Sequence, residues 1–376
     1  MPLENHSQTD RRRFLKATGA VGAAGLAGLA GCTGGGSNGS GTPTINILTW
    51  EEYADLKDEI ESNLDVNVQF TKSTSSSKMF SSWQAGQDTQ YDIAVPNNNY
   101  VPKMMDAGLV DTVPKDVISN YGDVYDTFQG FASNQFTQDG SLYGVPIRFG
   151  WYGYSYNSDT VPDHEQSYEA LFDPQYTGAD LSGKLIMYDD HFKAMSAAAL
   201  YLGYSDAFEG AKITLSKDQI SKVKQTMIDQ KDILQGYIAA DPTYIKSFKQ
   251  GNFALGQSGR NEIVELWTEG VDSATMATPK EGSLAWFESA VVSKKSDHKD
   301  MAWKVINQFI APKLGAKLAK AGYSPSCNPK TQQNLTDHEN EMYGSIDPSR
   351  LQNMIPFKAV ENEDAWITAW EDVKSA

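Results

Sequence analysis

Apolar and polar residues alternate from Thr44 to Trp50 (TINILTW), just after Pro43, which predicts a first β-strand. Glu51 to Leu64 changes to helical spacing, and Val66 to Thr71 (VNVQFT) alternates again as a second strand. Met79 to Gly86 predicts a short helix. Tyr91 to Pro96 (YDIAVP) is a compact strand closed by Pro96 and the polar run Asn97-Asn98-Asn99. Val101 to Ala107 is helical, with Gly108 as its stop. Further along, Gly150 to Asn157 (GWYGYSYN), Lys184 to Tyr188 (KLIMY), Phe253 to Gly256 and Ser289 to Val292 predict strands. Ala194 to Leu202, Leu215 to Gln235, Met301 to Ile310 and Lys313 to Ala321 predict helices, the last ended by Gly322. Strands alternating with helices imply an α/β fold with a mostly parallel sheet. Ligands of such sheets lie at the carboxyl ends of strands, which points at Trp50 to Tyr53 and at Asn97 to Tyr100.

The segment before the first strand has a different pattern. Arg11-Arg12-Arg13-Phe14-Leu15 is followed by Gly19 to Ala30, made only of Ala, Gly, Val and Leu, and then by Leu29-Ala30-Gly31-Cys32. A spanning helix needs about 20 strongly apolar residues, and this run is shorter and Gly-rich. Residues 1–31 read instead as a leader. The arginine pair resembles a twin-arginine export signal, and the last four residues resemble a lipobox in which Cys32 is lipidated and becomes the mature N-terminus. Residues 32–43 carry the Gly/Ser-rich run of a flexible tether. The expected location is therefore the outer face of the cytoplasmic membrane, by lipid anchor.

Without residues 1–31 the chain keeps 345 residues, enough for two packed lobes, and 28 basic against 46 acidic side chains, a net charge of −18. Such a surface does not suit nucleic acid, which needs basic patches. The acid is dispersed and aromatics make up 11% of the chain, so disorder is not implied. A dispersed acidic excess resembles proteins of salt-loving microbes, where salt screens self-repulsion, and a haloarchaeal source is expected. With Cys32 lipidated, Cys327 has no disulfide partner. Five histidines (His6, His164, His191, His298, His338) lie far apart, so no metal site is expected. Asn38-Gly39-Ser40 and Asn334-Leu335-Thr336 are glycosylation-type sequons.

No Gly-x-Ser-x-Gly elbow stands between a strand and a helix, and neither His-Glu-x-x-His nor a phosphate-cradling glycine loop occurs. A glycosidase would need two carboxylates facing across a cleft, so a secreted carbohydrate-active hydrolase is the rival to a binding protein. The predicted strand ends instead set aromatic rings beside carboxylates and amides: Trp50-Glu51-Glu52-Tyr53, Asn97 to Tyr100, Asp189-Asp190 and Trp286-Phe287-Glu288. Aromatic faces attract cations and carboxylates pair with ammonium groups, which is what an amine-binding cleft needs.

On these residues the chain resembles the spermidine/putrescine-binding proteins of ABC importers, within the extracellular solute-binding class. Thr49-Trp50-Glu51-Glu52-Tyr53 is similar to the family's Asn-Trp-Thr-Glu-Tyr segment, and Tyr91 to Met104 resembles its YDLVVPS..YVDKM run. Gly183 to Asp190, Pro279 to Ser289 and Ala321 to Pro325 resemble three further segments in the same order. The resemblance implies a two-lobed periplasmic-binding-protein-like fold of type II, with the ligand cleft between the lobes. Lobe 1 would comprise 44–145 plus 287–320, and lobe 2 would comprise 146–286 plus 321–376. It also implies a monomer that is not an enzyme, needs no cofactor, and passes a small solute, polyamine first, to a membrane permease. A zwitterionic or anionic solute is the alternative. Carried over by position, Trp50, Glu51, Tyr53, Asn99, Tyr100, Asp190, Trp286, Glu288 and Tyr323 would face the ligand, with Glu288 as the amine-pairing acid. Two positions depart from the family pattern: Lys193 stands where it has Glu, and Gly259, followed by Arg260, stands where it has Trp. Lys193 and Arg260 are therefore further candidate ligand contacts, suited to a carboxylate.

Overall fold

The structure is a computed structural model that describes residues 42–344, 351 and 353–376. The leader, Cys32 and the tether up to Gly41 lie outside the described residues. Ten strands join one sheet: β1 (Thr44–Thr49), β2 (Asn67–Lys72), β3 (Ile93–Ala94), β4 (Val145–Asn157), β5 (Leu185–Tyr188), β6 (Leu234–Ile238), β7 (Leu255–Gly259), β8 (Ala274–Ala277), β9 (Ser283–Val292) and β10 (Met354–Pro356). Their order is β2-β1-β3-β9-β4-β7-β5-β6, with β8 also on β4 and β10 also on β9.

The flanks are parallel, as the alternation of strands and helices predicts: β1 with β2 and β3, and β5 with β6 and β7. The centre corrects the expectation of a mostly parallel sheet, because β4 and β9 run antiparallel to each other and to β3, β7 and β8, while β10 pairs parallel with β9. These two strands are 13 and 10 residues long and buried along almost their whole length. A strand covered on both faces does not alternate. The sequence pattern caught only the second half of β4 and the last four residues of β9, because Arg148 and Glu288 interrupt both apolar runs.

Two large hydrophobic cores share these strands. The first holds Ile45, Tyr53, Phe149, Phe287, Trp303 and Cys327, and the second holds Tyr154, Leu185, Met195, Trp286, Phe357 and Trp366. A smaller core around Tyr244, Phe253 and Ile263 covers the other face of the second half. Residues 325–327, expected with the second lobe, hydrogen-bond to β4 and Tyr125, and Cys327 packs in the first core. The chain passes between the cores again at β10, whose successor Phe357 accepts hydrogen bonds at its carbonyl from Asn98 and Gln135.

Leu215 to Gln235, read as one helix, is the helix Lys217–Asp229, a turn, and then β6. Ser216 and Gln219 close a capping box at its start. Asp126–Phe136, Asp241–Lys249, Arg260–Thr268 and Glu363–Ser375 are helices that the pattern did not single out. Among the described residues no helix is long and apolar enough to cross a membrane.

Candidate functional site

Between the pairs Phe287–Phe149 and Ser289–Pro146, β4 carries one more residue than β9. Such a bulge re-aims a side chain, and here it brings Arg148 against Glu288. Arg148 is 5% exposed and Glu288 3%. Arg148 Nε donates to Glu288 Oε2 at 2.7 Å and Nη2 donates to Oε1 at 2.7 Å, a bidentate fork. Nη2 also donates to Glu52, and Nη1 to the Gly322 carbonyl at 3.1 Å. The Tyr53 hydroxyl donates to Glu288 Oε2 at 2.6 Å. Burial, reinforced by Glu288, holds that hydroxyl well above its usual pKa. The guanidinium lies 5.8 Å from the Tyr53 ring centroid and 5.7 Å from that of Trp286, within cation–π range.

Two glycines make room for this cluster. A Cβ on Gly322 would lie 1.8 Å from Arg148 Nη1, and one on Gly150 would lie 2.5 Å from Trp286 Cζ2. Arg148, Gly150 and Tyr152 follow at two-residue spacing, so they share one face of β4. The indole of Trp286 covers Gly150, between the other two.

A second group surrounds Tyr152. Asp190 caps the helix His191–Tyr201, its Oδ1 accepting from the Lys193 amide at 2.9 Å. Lys193 Nζ lies 4.3 Å from the Tyr152 ring centroid and 4.4 Å from that of Tyr188. The two rings meet edge to face at 5.5 Å, and Tyr152 stacks on Phe357. The Tyr188 hydroxyl donates to Glu262, which is 1% exposed and whose carboxyl burial pushes up to about 7. A Cβ on Gly259 would come within 3.1 Å of the Tyr152 ring. Tyr152 of β4 therefore stands against Gly259, the position where the family pattern has a Trp.

The structure thus brings Tyr53, Trp286 and Glu288 into one cluster, and Asp190 and Lys193 into another on the same side of β4. The other candidates lie as follows. Trp50 packs on the first core with Nε1 donating to the Val95 carbonyl at 2.8 Å. Glu51 is exposed and pairs with Lys72, while its neighbour Glu52 takes the inward place on Arg148. Asn99 keeps a buried Oδ1 without a hydrogen-bond partner. Tyr100 tilts against Phe80, with Lys103 above it at 4.9 Å. Tyr323, at φ +52°, reaches Thr268, and burial with Glu265 and Glu269 raises its pKa. Arg260 lies over Trp151 and Trp267 and donates to the carbonyls of Glu341 and Met342.

Sequence reasoning missed Arg148, Glu52, Tyr152 and Tyr188. A lone arginine inside the apolar run VPIRFGW was the available signal for the first. Asn98, fully buried, was missed as well: its side chain ties the Phe287 amide to the Phe357 carbonyl. Among the described residues no group of three or more His, Cys, Asp or Glu is placed to hold a metal ion. Rings, carboxylates and the Lys193 ammonium are groups that can hold a small charged molecule.

Residues 55–341 match the family model described as "Bacterial extracellular solute-binding protein", and the chain belongs to that family. The spermidine/putrescine-binding periplasmic protein of Escherichia coli (strain K12) is 22% identical over 291 residues, 76% of this chain and 78% of the relative. The putrescine-binding periplasmic protein SpuD of Pseudomonas aeruginosa is 19% identical over 349 residues, 88% of this chain and 92% of the relative. The Tp0655 (TpPotD) lipoprotein of Treponema pallidum shares the fold, with a TM-score of 0.75 at 20% identity over 88% of this chain and 99% of that one.

Proposed function

We propose that this extracellular solute-binding protein is the capturing subunit of an ABC importer, closing two lobes around a small amine-bearing solute. Spermidine and putrescine stand in the names of its relatives, so polyamines are the first amines to test. The observation that carries the reading is the meeting of Tyr53, Trp286 and Glu288 at the bulge where β4 and β9 run side by side. The two cores are the lobes in this reading, and β4, β9 and β10 are the segments about which they move. Trp50, Asn99, Tyr100, Asp190 and Tyr323 would complete the lining, with Glu51 at the rim. The incoming ammonium meets rings and the Glu52 carboxylate, because both Glu288 oxygens already hold Arg148. The lobes then deliver the solute to a membrane permease.

A thermal-shift screen in high salt against polyamines, amino acids, sugars and organic acids tests this. A ligand at 100 times its dissociation constant adds roughly 2.7 kcal/mol of stability. Amine-bearing solutes should raise the melting temperature. A response confined to sugars, or release of product from a glycan, would favour the hydrolase.

Lipid anchoring through Cys32, twin-arginine export and adaptation to salt belong to the same proposal and rest on the sequence. Cys32→Ser should leave the leader unprocessed or release the protein from membranes, read by mass and by fractionation. Unchanged mass and unchanged fractionation would remove the anchor from the proposal.

A further inference from the structure

We infer that the captured solute carries an anionic group, a carboxylate in the simplest form, that pairs with Lys193, so that the cleft selects an amine–carboxylate over a diamine. The inference rests on the reading above that the cleft takes an amine-bearing solute, and it names what the rest of that solute must be.

Charge accounting along one face of β4 leads to it. At the Arg148 end, four of the five guanidinium N–H groups have protein acceptors: two on Glu288, one on Glu52 and one on the Gly322 carbonyl. Arg148, Glu288 and Glu52 together carry a net −1. The Glu52 side chain keeps 20% of its surface exposed, so this end can still receive one ammonium group beside the Trp286 indole.

Four residues along the same strand, roughly 13 Å at about 3.3 Å per residue, the negative excess ends, because Lys193 offsets the charge of Asp190. Lys193 Nζ has no carboxylate within ion-pair distance among the described residues; its contacts are the faces of Tyr152 and Tyr188. The nearest acid in sequence, Asp190, spends an oxygen on the helix-capping bond. Glu262, below Tyr188, is buried beyond the ring and is held toward its neutral form by that burial. An ammonium resting on ring faces alone is weakly compensated compared with one paired to a carboxylate. A diamine laid along this strip would bring its second ammonium against Lys193 or have to expel it. An amine–carboxylate of similar length supplies the missing counter-charge.

The lysine is linked to the Glu288 cluster through packed residues. Tyr152 stacks on Phe357, the Phe357 carbonyl accepts from Asn98, and Asn98 accepts from the amide of Phe287, next to Glu288. Both clusters are therefore tied to one another through the buried Asn98.

Titration calorimetry at fixed salt on the full mature chain decides it, using putrescine, spermidine, γ-aminobutyrate and succinate as probes. Wild-type protein should bind the amino acid at least tenfold more tightly than either polyamine. Lys193→Glu should reverse that order, and Lys193→Met should weaken the amino acid without strengthening the polyamines to the same degree. Thermal melts of both variants verify that they fold. Polyamine binding tighter than amino-acid binding in the wild type, with no loss of amino-acid affinity in Lys193→Met, overturns the inference and leaves the amine-binding reading standing. Binding of succinate alone, or of none of the four, overturns both.

Discussion

Arg148→Met should cost about 3–5 kcal/mol of stability, the scale expected when one partner of a buried ion pair is removed. Glu288 would remain 3% exposed with only the Tyr53 hydroxyl as partner. A buried carboxylate in that state must either stay charged without compensation or take up a proton. The double variant Arg148→Met with Glu288→Leu should recover part of the loss, because Glu288 no longer leaves a buried charge unpaired, while Glu52 and the Tyr53 hydroxyl still lack their partners. Gly322→Ala supplies a third corner. Its Cβ would lie 1.8 Å from Arg148 Nη1, so it should destabilise the wild type and do little in the Arg148→Met background. Denaturant titrations at one salt concentration measure the four variants and the wild type. A single Arg148→Met variant within about 1 kcal/mol of wild type would mean that the pair does not hold β4 to β9.

Glu262→Gln should change how stability depends on pH. The Glu262 carboxyl is raised by burial from 4.5 to about 7 in the folded protein. Between those values the native chain holds a proton that the unfolded chain has released. Stability from this group is thus complete below pH 4.5, falls as pH rises toward 7, and stays lost above it. At 1.36 kcal/mol per unit the total is about 3 kcal/mol. The glutamine variant should therefore be more stable than wild type at pH 8 by up to that amount and show no advantage at pH 4. Opposite slopes from carboxylates lowered by lysine partners, such as Glu59 with Lys317, occur in both proteins and cancel in the difference. A difference curve that is flat from pH 4 to pH 8 would show that Glu262 does not titrate in this range.

What the sequence revealed depended on how local each signal was. β1 alternates through TINILT and ends at Thr49, so both its extent and the place of Trp50 at a strand end could be read directly. β4 and β9 could be read only in part. Arg148 and Glu288 look like interruptions in each strand until the fold sets them 2.7 Å apart across 140 residues of chain. The choice between Glu51 and Glu52 was equally invisible, because a turn of 3-10 helix, not a strand, decides which of them faces inward. Family resemblance singled out Trp286 and Glu288, and the structure sets both beside Arg148. The resemblance could not show that an arginine already occupies the acid, nor that Tyr152 stands against Gly259. Both residues come from β4 and lie far in sequence from the positions they meet.

The bond between Tyr53 and Glu288 spans 235 residues. A ribosome adding about 5–20 residues per second takes roughly 12–47 s to cover that distance. Through that interval the side chains of β1, β2 and β3 exist without β9, the strand that pairs with β3 and closes their core. The N-terminal third of this protein therefore waits half-built for its C-terminal third. During synthesis it depends on whatever shields an unfinished sheet edge, and a chain stopped anywhere before Ser283 leaves both large cores incomplete.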